Sequence, residues 1–380
     1  MIYFDNAATT EICEPALSAL IDLSKNQYGN ASSSYSYARK AKQLLDDARG
    51  IISQCIGASP DEIFFTSGGT ESNNWTISQL SHTVDKVIVS SVEHHAILYP
   101  AERQKKNGND VVVIPVDKGC IVLPEVLITS MQEKKCLVSI MFQNNETGVI
   151  QDIQSLAYIV HNNNPKSIFH TDAVQAVGHS VINVHKLGID MLSASAHKFN
   201  GPKGVGFLYV NKNCQIAPLI LGGGQEKGLR SGTENIPGIF SMAKALENNT
   251  SLIEENEKHI KSMEDLFYRE LSTLGVRYKI NGNLNKKASG VINIAIDRVD
   301  GEGLLNFLDI HDICVSIGSA CNSESKNRSH VLLAMGLDNN EIDSSIRISI
   351  GRYNKEDEII KLARLIKRYV DISCVAMGAS

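Results

Sequence analysis

Seven short runs rich in β-branched and apolar residues follow one another between Asp61 and Val210, separated by stretches with helical spacing. They are EIFFTS (62–67), KVIVSS (86–91), VVVIPVD (111–117), LVSIMF (137–142), SIFHTD (167–172), DMLSAS (190–195) and GVGFLYV (204–210). Several are nearly unbroken apolar runs, which a strand needs when helices cover both its faces, and the stretches between them suit crossover connections. That alternation predicts an α/β fold built on a mostly parallel seven-stranded sheet. Ligands of such sheets sit beyond the carboxyl ends of the strands. Thr70, His94, Asn145, Asp172 and Lys198 all fall at those ends.

Near Asn248 the texture becomes polar and charge-rich, and Ile260, Met263, Phe267 and Leu271 then recur at helical spacing. Beyond it lie the strand candidates GVINIAI (290–296), ICVSIGS (313–319) and SSIRISIG (344–351), and a last amphipathic helix carrying Ile359, Leu362, Leu365, Ile366 and Val370. The predicted division is a large cofactor-binding domain over residues 13–252 and a smaller α+β domain formed by residues 1–12 and 253–380.

A net charge of -5 over 380 residues gives no electrostatic footprint for nucleic acid or an anionic membrane. The N-terminus, MIYFDNAATT, has no basic region followed by an apolar core, and no stretch approaches a membrane span, so the chain reads as cytoplasmic. Its eight cysteines are scattered, with no CxxC pair and no histidine at metal-ligand spacing. Neither a disulfide framework nor a metal site is expected.

The stretch SASAHKFNGPKG (193–204) carries Lys198 at the end of an apolar run. A partly desolvated lysine loses proton affinity, and its amine can then condense with an aldehyde such as that of pyridoxal phosphate; the alternative is a solvated lysine in a Gly/Pro turn. SGGTES (67–72) follows a strand and precedes a helix, so Gly69, Thr70 and the helix N-terminus could cradle a phosphate, or simply make a capped turn. In HTDAVQAVG (170–178), Asp172 could hold a proton on a pyridine nitrogen, with Gln175 three residues on, or cap a helix. VEHHAI (92–97) offers His94 for stacking and proton transfer. QNNETG (143–148) offers Asn145 for a ring hydroxyl or a carboxylate, or reads as a turn. The glycine-dense loop GGGQEKGLRSGTEN (222–235) brings Arg230, Ser231 and Thr233, which could reach a phosphate, including one in a neighbouring subunit. Cys321 heads the polar stretch CNSESKNRSH, where a thiol would be exposed, whereas Cys314 inside ICVSIG reads as buried and inert. Arg347 could clamp an α-carboxylate, with Arg352 as the fallback.

Taken together, FDNAATT, SGGTESNN, EHHAI, NNETG, TDAVQAVG, SAHKFNGPKG, RSGTEN and GSACNSES resemble the NifS/IscS group of cysteine desulfurases, from about residue 3 to about residue 370. That group belongs to the class V aminotransferases, fold-type I enzymes that depend on pyridoxal 5'-phosphate. The resemblance implies that Lys198 bonds the cofactor, His94 stacks on its ring, Asp172 pairs with the ring nitrogen and Gln175 bonds the ring hydroxyl. It places Gly69, Thr70, Ser195 and His197 around the phosphate, with Thr233 donated by the second subunit of a homodimer. Asn145 and Arg347 would hold the carboxylate of L-cysteine, and Cys321 would accept its sulfur as a persulfide. The partner so implied is a sulfur-acceptor protein, an iron–sulfur scaffold or a thiolation enzyme. The rival readings are a selenocysteine lyase, an aminotransferase with no need of Cys321, and a non-catalytic sulfur-transfer docking module.

Overall fold

The computed structural model describes residues 1–317 and 328–378. Its strands, in chain order, are β1 (Ile2–Tyr3), β2 (Ile63–Thr66), β3 (Lys86–Ser90), β4 (Val111–Ile114), β5 (Cys136–Ser139), β6 (Ile168–Asp172), β7 (Met191–Ser195), β8 (Gly206–Val210), β9 (Tyr278–Ile280), β10 (Val291–Ile296), β11 (Ile313–Cys314) and β12 (Ser345–Ser349). All seven runs predicted between Asp61 and Val210 are strands of one sheet, ordered β2-β8-β7-β6-β5-β3-β4. Every pairing is parallel except those of β8, which runs antiparallel to β7 and β2.

Strands β2, β3, β5, β6, β7 and β8 are buried along their whole length, because helices lie on both faces. One face holds Ile88, Val138, Phe169, Leu192 and Phe207 against the helices at Ser36–Ile56, Ile153–Asn163 and Ile236–Ser251. The other holds Val87, Val89, Leu137 and Leu208 against Trp75, Ile97 and Ala101. One polar side chain crosslinks the middle of this sheet. His170, fully buried in β6, bonds Ser139 on β5 at 2.8 Å and Ser193 on β7 at 2.9 Å. Burial pulls its pKa down to about 3, so the ring stays neutral.

A second sheet, ordered β12-β10-β9, is antiparallel. It shares a core with Phe4 and with the helices Ile253–Thr273, Gly301–Ile310 and Glu356–Gly378, through Phe267, Ile292, Ile294, Leu308, Ile348 and Leu362. Of the strand predicted over 313–319, residues 318 and 319 lie outside the described residues. Among the described residues the strand covers Ile313–Cys314 and pairs with β1 alone, Ser316 then bridges to Arg347, and Cys314 is half-buried and not buried.

The N-terminal segment ties the two cores together. Phe4 packs in the small core, Asn6 and Ala7 bond Ser349 on β12, and Thr10 bonds the His197 carbonyl beyond β7. Among the described residues no helix is long and apolar enough to cross a membrane, and no three metal-ligating side chains come together.

Candidate active site

The carboxyl ends of β2, β5, β6 and β7 open into a cavity of about 620 Å³. Gly69, Thr70, His94, Asn145, Asp172, Gln175, Ser195, His197, Lys198 and Arg347 all line it, so ten expected side chains or backbones from six separate stretches meet in one place. Thr233 does not line it; its side chain is exposed. Cys321 lies outside the described residues. Arg352 faces a different cavity, described below.

Lys198 ends a short helical turn that follows β7 directly. It is half-buried, and its Nζ donates to the carbonyls of Ala7 at 2.6 Å and Ala8 at 2.7 Å. The N-terminal segment therefore supplies the acceptors that aim the amine. Its neighbour His197 shares a 3.2 Å hydrogen bond with Thr9 Oγ1; burial, with the nearby Lys198 and Lys203, pulls its pKa down to about 4 and keeps the imidazole neutral.

Asp172 closes β6 and is 5% exposed. Asn73 Nδ2 donates to Oδ2 at 2.6 Å and the Val174 amide to Oδ1 at 3.0 Å, which fixes the carboxylate in the cavity wall. The helix-capping alternative for Asp172 does not hold, because residues 174–179 form turns and not a helix, and the bond from Val174 closes a local turn. Gln175 donates to the Ala7 carbonyl at 2.9 Å.

His94 caps the helix His95–Lys106, and its Nδ1 accepts from the Ala96 amide at 3.1 Å. That bond leaves Nε2 as the nitrogen that carries the proton of the neutral ring. Burial depresses the His94 pKa, and the positive charge of Lys198 adds to the effect against the opposing carboxylate of Asp172.

The glycine turn before the helix Gly69–Leu80 is as tight as a phosphate cradle requires. Gly68 has φ 149°, a conformation open to glycine. A Cβ on Gly69 would lie 2.5 Å from Val174 Cγ2, and one on Gly206 would lie 2.7 Å from the Gly68 Cα. Gly68, Gly69 and Thr70, at the start of that helix, line the cavity beside Ser195 and His197. Pyridoxal phosphate asks for an amine, a carboxylate for the ring nitrogen, a flat partner for the ring and an anion cradle, and the residues present fit all four.

Arg347, 3% exposed, is fixed by an ion pair to Asp5 Oδ1 at 2.7 Å and by donation to the Asn145 carbonyl at 3.0 Å. Among the described residues its buried Nε has no hydrogen-bond partner. Four contributors escaped the sequence reading: Asp5, which orients Arg347; Asn73, which holds Asp172; Asn144, whose amide oxygen shapes the turn at 144–147; and Glu71, which pairs with Arg230 at 2.7 Å. Asp5, Asn73 and Asn144 sit inside stretches already singled out, but Asp5 and Asn73 act on partners far away in the chain, and Asn73 and Asp172 are 99 residues apart.

A family model described as aminotransferase class-V matches residues 2–362. A protein of Methanosarcina thermophila named cysteine desulfurase IscS is 39% identical over 97% of this chain and 92% of its own. Among solved structures, a NifS-like protein is 36% identical, covers 98% of this chain and 99% of its own, and superposes with a TM-score of 0.92. A structure described as SspA in complex with cysteine is 31% identical over 93% of this chain and 100% of its own, with a TM-score of 0.82.

Proposed function

From the premise that the chain belongs to the aminotransferase class-V family and is a pyridoxal-phosphate-dependent cysteine desulfurase, we propose which of its residues carry the reaction. The overall change is L-cysteine to L-alanine with transfer of the sulfur to an enzyme cysteine as a persulfide. The observation that carries the assignment is the convergence of Lys198, Asp172, His94, the glycine cradle and Arg347 on one cavity.

When bound, pyridoxal phosphate supplies an electron sink for the pair left on the substrate Cα after its proton is removed. Lys198 would hold the cofactor through Nζ, with Asp172 at the ring nitrogen, Gln175 at the ring hydroxyl and His94 against the ring face. Gly69, Thr70, Ser195 and His197 would hold the phosphate. Arg347 and Asn145 bind the substrate carboxylate; the unpartnered Nε of Arg347 supports this, since a buried donor without an acceptor calls for one. Lys198 Nζ, on the floor of the cavity, takes the Cα proton and returns one later. The Cys321 thiolate then attacks the substrate sulfur. An S–S bond forms and the Cβ–S bond breaks with its electron pair left on carbon, where a proton completes the methyl group of alanine.

The two hydrophobic cores support the division into a large domain, 13–252, and a small one made of 1–12 and 253–380. Exposed Thr233, with Leu221 82% exposed on the same stretch of chain, supports a homodimer in which this loop completes the partner's phosphate site. The persulfide would pass to a sulfur-acceptor protein in the cytoplasm, an iron–sulfur scaffold or a thiolation enzyme, with no direct contact to nucleic acid or membrane. Cys321→Ala tests the scheme: sulfide release from cysteine should vanish while the cofactor absorbance stays. Turnover at the parent rate would refute the persulfide step.

A further inference from the structure

Residues 328–332 pack against the two stretches that carry His94 and Asn145. Ser329 Oγ donates to Glu146 Oε2 at 2.5 Å, with both residues 3% exposed, and the same hydroxyl accepts from the Leu332 amide at 3.1 Å. His330 Nε2 lies 3.0 Å from the Glu93 carbonyl, so this nitrogen is the donor, and its ring packs at 4.6 Å on His95, which stacks in turn on Tyr99. Val331 and Leu332 are buried in one cluster with Val92, Met141 and Val149. Upstream, Ser316 exchanges two backbone hydrogen bonds with Arg347, at 3.0 and 2.6 Å.

These contacts follow a pattern. Glu93 and His95 flank His94 in the chain, and Glu146 follows Asn145. Each motif gives one residue to the cavity and its chain neighbour to the segment at 328–332. Buried hydrogen bonds and stacked rings of this kind resist displacement because no water replaces them. Burial raises the Glu146 pKa, while the hydrogen bond from Ser329 and the charge of Arg347 oppose the shift.

We propose that Glu146, through Ser329, and His95, through His330, are positioning residues for sulfur transfer, fastening the chain eight residues beyond Cys321 to the two motifs that carry His94 and Asn145. The proposal rests on the assignment of Cys321 as sulfur acceptor. It separates two halves of the reaction: removal of the Cα proton needs Lys198 and the cofactor, whereas sulfur transfer also needs this anchorage.

The test uses the full-length holoenzyme and three readouts: sulfide release from L-cysteine in the presence of a thiol reductant, KM for cysteine, and exchange of the Cα proton of L-alanine for deuterium. Ser329→Ala should lower kcat for sulfide release about tenfold or more while KM and exchange stay within about twofold. Ser329→Thr, which keeps the hydroxyl, should restore the rate, and Glu146→Gln, which keeps an acceptor oxygen, should lose less than Glu146→Leu. Unchanged sulfide release by Ser329→Ala, or sulfide release and exchange falling in parallel, would overturn the proposal. If Ser329→Ala loses its cofactor absorbance, His95→Ala decides by the same criteria. Cys321→Ser is measured alongside: sulfide release at the parent rate overturns the acceptor assignment, whereas its loss together with an unaffected Ser329→Ala overturns this proposal alone.

Discussion

Two cavities meet at Lys198, and only one has the parts of a reaction centre. The front cavity, about 620 Å³, lies beyond the carboxyl ends of the large sheet and gathers Asp172, His94, the glycine cradle and Arg347. The rear one, about 300 Å³, lies between the two cores and is lined by His179, Asn256, exposed Glu257, Lys287 and Arg352 among others. Both also touch Ala7, Gln143 and Gln175. The charged groups behind Lys198 are already committed: Lys287 to Glu264 at 2.8 Å, and Arg352 to Asn248 at 3.1 Å and Tyr353 at 2.8 Å. Among the described residues each cavity has a buried arginine Nε without a hydrogen-bond partner, Arg347 in front and Arg352 behind, so the two differ in the groups they gather and not in a spare donor. The reaction centre therefore lies at the strand ends, where side chains from separate elements converge.

The largest effect expected from this contrast is at the shared residue. Lys198→Ala should reduce alanine formation at least about 10³-fold, a loss on the scale of a general base, checked by product assay with added cofactor. Next come the arginines. Arg347→Ala should lower kcat/KM for cysteine by about 10²- to 10³-fold, because a buried charged hydrogen-bonding partner of the substrate is lost, whereas Arg352→Ala should cost less than about tenfold. Equal losses would erase the distinction between the cavities.

Thr233 sharpens the comparison from outside the cavity. Thr233→Ala should weaken cofactor binding by about tenfold, the size of one charge-assisted hydrogen bond. Titration of the apoprotein reads the affinity, with sedimentation to follow dimer mass; unchanged affinity in an intact dimer would remove the loop from the site.

The smallest effect is on stability. Glu93, buried in the front wall beside His94, accepts from Ser90 at 2.6 Å and from the Met141 amide at 2.8 Å, and burial pushes its carboxyl up to about 8. In the unfolded chain it ionises at about 4.3, as a free glutamate does, so between these pH values the folded state binds the extra proton and stability falls as pH rises. Glu93→Gln should flatten that fall by up to about 1.4 kcal/mol per pH unit, seen in urea midpoints at pH 5.5 and 7.5.

The sequence made the large sheet legible because its strands are buried on both faces and read as apolar runs. Strand β9, three residues at a sheet edge with Lys279 exposed between Tyr278 and Ile280, carries no such signal. The strand-end motifs revealed ten of the cavity residues, since chemistry limits the residue types that serve there. Asp5 and Asn73 were not legible, because each acts only through a partner that folding brings near. Thr233 was read as reaching a neighbouring subunit; in its own chain its side chain is exposed and outside the cavity.

The bond at Lys198 is the centre of the account. Borohydride reduction of the holoenzyme, followed by digestion and mass spectrometry, should place the added cofactor mass on Lys198 alone. Finding it on Lys203 or Lys287, or finding no modified lysine in a protein that has bound the cofactor, would contradict the account.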